Sequence, residues 1–132
     1  ALPDRRFDAS AARRFVDEYL RFRPNQFDAI LAWNTLEHLD ADLLAATVRR
    51  LSEILNPGSS LLTVFHTQSR GETVGVYKYL IEGSETLRLQ PRQLRALPQS
   101  FNNRSLEKLF SGYRAVKFFL TRDSLREVIA VR

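Results

Sequence analysis

Asn34, Thr35, Glu37 and His38 are the residues best suited to chemistry, and their value lies in where they fall. They follow Phe27–Trp33, a nearly unbroken apolar run of the kind that forms a strand buried on both faces of a parallel sheet. Open α/β sheets bind ligands beyond the carboxyl ends of their strands, where strand ends and helix starts converge on a crevice. There His38 is the candidate general base, because an imidazole titrates near neutrality and can take a proton from a hydroxyl or an amine. It reads equally as a hydrogen-bonded residue near a helix start. Asn34 also has two readings. A polar side chain ending a buried strand has no evident packing role, which points to a ligand contact; the other reading is a turn-forming asparagine.

Several other chemistries find no support. The chain has no Cys, which removes disulfides, thiolate nucleophiles and Cys-based zinc sites. Two His among many Ser leave any Ser/His/Asp pairing arbitrary, and no phosphate-binding loop occurs.

The elements that must hold the polar cluster read as a βαβ unit. Asp40 is a good helix N-cap, with Leu39 placed to pack on Leu44 as a hydrophobic staple. Leu44, Val48, Leu51 and Leu55 then recur on one helical face until Asn56-Pro57-Gly58. Leu61–Phe65 is a second buried apolar run, ending at His66. A helix between two such strands is a crossover, so the strands are parallel.

Upstream, Asp8 caps a helix whose apolar positions Phe15, Tyr19 and Phe22 run to the stop at Pro24. Downstream, residues 67–91 turn to Gly, Ser, Thr and charged types. Val74 to Ile81 and Thr86 to Leu89 flank Glu82-Gly83-Ser84 as a hairpin or an irregular cap. Pro91 to Pro98 reads as a short helix. Asn103 caps a further helix carrying Leu106, Leu109 and Phe110, and the chain ends in two antiparallel strands near 113–121 and 124–131. The fold class is α/β, and 1–132 reads as a single domain.

Composition agrees with one globular domain: 132 residues, 44% hydrophobic and 27% charged. The net charge of +5 comes mostly from residues after His66, scattered as on solvated faces, with no nucleic-acid motif, so nucleic acid is not the expected partner. No apolar run approaches the ~20 residues that cross a bilayer, and no basic-then-apolar leader opens the chain. A cytoplasmic protein without membrane attachment is expected. The chain opens at Ala1 without Met, as a fragment or a processed chain would.

The run from Phe27-Asp28 through Leu36-Glu37-His38-Leu39 resembles the fourth strand of class I S-adenosylmethionine-dependent methyltransferases. Leu55-Asn56-Pro57-Gly58 leading into Leu61-Leu62-Thr63-Val64-Phe65 resembles that family's Leu-x-Pro-Gly-Gly turn and fifth strand, with Ser59 in place of the second glycine. The resemblance implies a partial Rossmann-like sheet of parallel strands with a crossover helix and a terminal antiparallel hairpin. It also implies S-adenosylmethionine as cofactor, with Asn34, Thr35 and Leu36 lining the donor pocket. The acceptor would be a small molecule of unknown identity. Residues 67–100 correspond to a variable cap over the acceptor, so Tyr77 and Tyr79 become acceptor contacts, although hairpin packing explains them as well.

The family's donor site also needs a Gly-rich turn and an acidic ribose partner on its first two strands, and neither occurs here. None of the five glycines lies in a Gly-x-Gly turn. The implied object is the carboxyl-terminal part of a methyltransferase domain, inactive by itself and prone to self-association through the exposed Phe27 strand edge. The alternative is a truncated, non-catalytic domain acting through protein contacts. Some family members hold a divalent metal with Glu-x-x-Glu-His at this place. The present chain reads Asn34-x-x-Glu37-His38, with His66 at the next strand end. The first acid is missing and Asn is a weaker ligand, so no metal is expected.

Overall fold

The computed structural model describes residues 8–132; residues 1–7, where the chain opens without Met, lie outside it. Helix α1 spans Ala9–Tyr19, and the Asp8 carboxylate accepts from the Ala11 N–H at 2.7 Å as its N-cap. The helix stops before Phe22, three residues short of its apolar pattern. Its end is held elsewhere: the Arg50 guanidinium donates to the carbonyls of Leu20 and Phe22 at 3.0–3.1 Å.

Strand β1 spans Phe27–Trp33, α2 spans Ala41–Ile54 and β2 spans Leu55–His66. The two strands are parallel, paired from Phe27 opposite Leu55 to Trp33 opposite Thr63. Asp40 takes the N-cap conformation of α2, but its side chain makes no capping hydrogen bond. Asn56-Pro57-Gly58, expected as a separate turn, is already part of β2. Gly58 has φ +86°, which a residue with a Cβ adopts at a cost, and its N–H donates to the Arg132 carbonyl at 2.9 Å.

After β2 the chain forms a separate antiparallel hairpin of β3, Thr73–Ile81, and β4, Leu87–Ala96. The short helix expected at 91–98 is therefore strand. Pro91 is tolerated because β4 has a neighbour on one side only, so the missing N–H is not needed there. Helix α3, Asn103–Leu109, is capped one residue earlier than expected. Asn102 Oδ1 accepts from the Ser105 N–H while Ser105 Oγ accepts from the Asn102 N–H, a reciprocal capping box. Strands β5, Ala115–Leu120, and β6, Leu125–Val131, form the terminal hairpin.

The main sheet has the order β1-β2-β6-β5, with β6 antiparallel to both neighbours. Its core lies between α2, α3 and the sheet: Leu44, Val48, Leu51 and Ile54 meet Leu55, Leu61, Phe65, Val128 and Ala130, with Leu106 and Phe110 beside them. Each such side chain contributes about 1.5–3 kcal/mol on burial. The Tyr113 hydroxyl donates to the Val48 carbonyl at 2.8 Å. Arg132 donates to the Glu53 carbonyl at 3.1 Å and also to Asn25 Oδ1 and the Leu55 carbonyl, tying the chain end to the β1–β2 start.

One expectation about β1 is corrected. It is not buried on both faces: Asp28, Ala29 and Leu31 are exposed, since no described element packs over them, and among the described residues β1 is the sheet's outer strand. Among the described residues no helix is long and apolar enough to cross a membrane.

Candidate functional site at the strand ends

At Trp33 the backbone takes φ +47°, a left-handed conformation rare for a bulky residue. The chain bends out of the sheet there, with the Thr35 N–H donating to the Ala32 carbonyl at 3.1 Å and Thr63 Oγ1 donating to the Trp33 carbonyl at 2.7 Å. A single 3₁₀ turn, Leu36–His38, follows. This bend and turn send Asn34, Leu36 and Glu37 inward and leave Thr35 exposed.

Glu37 is completely buried. Its Oε2 accepts from the His66 backbone N–H at 2.7 Å, and its Oε1 lies 2.5 Å from His66 Nδ1. His38 Nε2 is 3.7 Å from the same Oε1, beyond hydrogen-bond range. Two buried nitrogens at the strand end, Asn34 Nδ2 and His38 Nε2, have no hydrogen-bond partner. Burial lowers the His38 pKa below its usual 6.5. The Glu37 carboxylate opposes the shift, and Arg95 and His66 add to it.

The β3–β4 hairpin reaches this cluster. Tyr79 stacks on Trp33 with ring centroids 4.7 Å apart and planes 3° from parallel. The Tyr79 hydroxyl is held above its usual pKa by burial first, then by the negative charges of Glu37 and Tyr77. Arg95 of β4 is near enough for its charge to act on His38. Tyr77 lies on the same hairpin but faces outward at 36% exposure, its ring folded over Gly75.

Of the residues expected from sequence, the fold brings Asn34, Glu37, His38, His66 and Tyr79 to one place. Leu36 is in the core, and Thr35 and Tyr77 are at the surface. Two relationships were not read from sequence: the Glu37–His66 pairing and the Trp33–Tyr79 stack. The available signal for the first was that Glu37 follows the end of one apolar run by four positions and His66 ends the next. Among the described residues no group of three His, Cys, Asp or Glu is arranged to hold a metal ion. A groove of about 400 Å³ between the start of α2 and α3 is lined by Leu44, Phe101, Lys108 and Leu109, and shares no residue with this cluster.

No protein-family model matches the sequence, and no curated protein is similar to it. Solved structures are. An S-adenosylmethionine-dependent methyltransferase from Methanosarcina mazei superposes with TM-score 0.54 at 17% identity, over 96% of this chain and 65% of that one. A 1,6-didemethyltoxoflavin-N1-methyltransferase from Burkholderia thailandensis, bound to 1,6-didemethyltoxoflavin and S-adenosylhomocysteine, gives 0.52 at 13%, over 84% and 46%. The fold is that of S-adenosylmethionine-dependent methyltransferases. An amino pentose methyltransferase from Micromonospora echinaspora gives 0.51 at 15% identity, over 81% and 58%. The chain thus spans about half to two thirds of the length of the methyltransferases it matches. Its sheet, with two parallel strands, a crossover helix and a terminal antiparallel hairpin, is a partial version of the methyltransferase fold.

Proposed function

We propose that this chain is the carboxyl-terminal part of an S-adenosylmethionine-dependent methyltransferase acting on a small-molecule acceptor. The observation that carries the reading is Asn34: within this fold, at the ligand-binding edge of the sheet, it buries an amide nitrogen that has no partner. Such a nitrogen asks for an acceptor atom from outside the chain, and S-adenosylmethionine offers several. Asn34 would form part of one wall of the donor pocket by its side chain, and Thr35 and Leu36 only by their backbone, since their side chains lie at the surface and in the core. When bound, the donor supplies an electrophilic methyl group, and the protein's part is chiefly proximity and orientation.

In this reading the acceptor lies on the opposite side, beneath the β3–β4 hairpin, with Tyr79 as its contact and residues 67–100 as the cap; Tyr77, also expected there, faces outward. His38 stands at the same strand end. It is the base expected from sequence, and burial lowers its pKa below the usual 6.5. The Gly-rich turn and acidic ribose partner are absent from these 132 residues, so the chain alone is inactive in this reading. A cytoplasmic location goes with it.

A second reading is favoured by the exposed β1 edge: a non-catalytic domain that works through protein contacts, including self-association along that edge. Calorimetry separates the two. S-adenosylmethionine is titrated into the 132-residue chain, into a version extended upstream by the sequence its gene encodes, and into that version carrying Asn34→Ala. Weak or no binding by the short chain, binding by the long one and weakening by Asn34→Ala are expected. A longer version that never binds the donor would sink the methyltransferase reading.

A further inference from the structure

A carboxylate removed from water is stable only when paired and hydrogen-bonded, and Glu37 meets that condition through a single residue. His66 offers it both the backbone N–H and ring Nδ1. An ionised carboxylate can only accept, so the proton in the 2.5 Å contact belongs to Nδ1 and the imidazole lone pair is left on Nε2. That nitrogen makes no hydrogen bond to any described residue, and the His66 side chain keeps 9% exposure at the carboxyl end of β2. His38 is prepared differently. Its Nε2 is buried, and the same carboxylate oxygen is 3.7 Å away, too far to orient the ring.

We propose that His66, with its Nδ1–H held by Glu37, is the proton acceptor of this site through Nε2. What it deprotonates rests on the methyl-transfer reading: a neutral hydroxyl or amine acceptor. As the acceptor's heteroatom forms its bond to the methyl carbon, the methyl–sulfur bond breaks with its electron pair left on sulfur. The heteroatom's proton passes to Nε2. Positive charge is thereby moved from sulfur to an imidazolium that already lies against a carboxylate, the arrangement that stabilises it most in a dry site. Glu37 in this scheme is a positioning residue, since it acts only through His66.

The test needs no donor. The 132-residue chain has two histidines, so ¹⁵N-resolved nuclear magnetic resonance of the ring nitrogens can be assigned with His38→Gln alone. In the neutral ring of His66 the Nδ1–H tautomer is expected. Glu37→Leu should lose that preference, while Glu37→Gln, which keeps a carbonyl acceptor, should retain it. Diethyl pyrocarbonate, which acylates unprotonated ring nitrogens, should label His66 before His38 in a peptide mass map. His66 in the Nε2–H form, or His38 labelled first, overturns the proposal. Should Glu37→Leu fail to fold by circular dichroism, the wild-type tautomer and the labelling order still decide. Failure of the longer version to bind S-adenosylmethionine is a separate result: it removes the methyl-transfer step and leaves the tautomer as measured.

Discussion

The indole of Trp33 and the phenol of Tyr79 lie 4.7 Å apart and 3° from parallel, and this stack joins the end of β1 to the β3–β4 hairpin. A two-stranded hairpin is marginal by itself, and every residue of β4 is exposed. The position of the hairpin over the strand ends therefore depends on a few contacts, of which this is one and the buried Val74 another.

Tyr79→Ala should cost about 1 kcal/mol beyond the area lost, the usual worth of a stacked aromatic pair. It should also loosen the hairpin from the strand ends. Trp33 is the only tryptophan, so its fluorescence reports the change directly. A red-shifted emission is expected for Tyr79→Ala and not for Tyr79→Phe. Identical spectra for all three proteins would show that the stack does not hold the hairpin.

Glu37→Leu leaves the buried His66 N–H without its acceptor and the imidazole without its carboxylate. A loss of about 3 kcal/mol follows from stranding such groups. Glu37→Gln should lose less, because one carbonyl oxygen remains. Urea denaturation measures both, and equal losses would mean that the charge of Glu37 contributes nothing.

Burial holds the His38 pKa below 6.5, so between its folded value and 6.5 the unfolded chain binds more protons than the folded one. In that window stability rises with pH, and it falls as the pH drops below 6.5. His38→Gln should flatten this part of the stability profile. Denaturation midpoints at a series of pH values test it, and an unaltered slope in the variant would assign the dependence to another group.

Tyr113→Phe removes a buried hydrogen bond to the Val48 carbonyl with little change in volume. A loss of about 1 kcal/mol is expected, read from the same urea curves. A neutral result would mean that water or a shifted side chain satisfies that carbonyl equally well.

The 132-residue chain should associate through the outer edge of β1, where Leu31 is 47% exposed. Leu31→Lys should suppress association, since a charge on a strand edge blocks edge-to-edge pairing. Sedimentation at roughly tens of micromolar, where aggregation-prone species show themselves, distinguishes the two. A wild-type monomer would refute the edge as an interface.

Local pattern was enough to place much of this fold. An apolar run bounded by Gln26 and Asn34 is β1 with the expected bounds, and the spacing of Leu44, Val48 and Leu51 is α2, because both signals lie within a few residues of chain. The parallel pairing also followed, since a helix between two apolar strands leaves few other connections. Other features were not legible. Residues 91–96 read as helix by composition and are strand because β3 lies alongside to take their hydrogen bonds, and β1 looked buried although nothing among the described residues covers its outer edge. At the site, sequence placed Glu37 and His38 side by side and His66 at the neighbouring strand end, without saying which of them pair. The register of β1 against β2 decided instead that Glu37 reaches across 29 positions to His66, while its sequence neighbour stays out of hydrogen-bond range. A hydrogen bond depends on tenths of an ångström and on direction, and those are set by how two strands are packed, which no spacing along one chain contains.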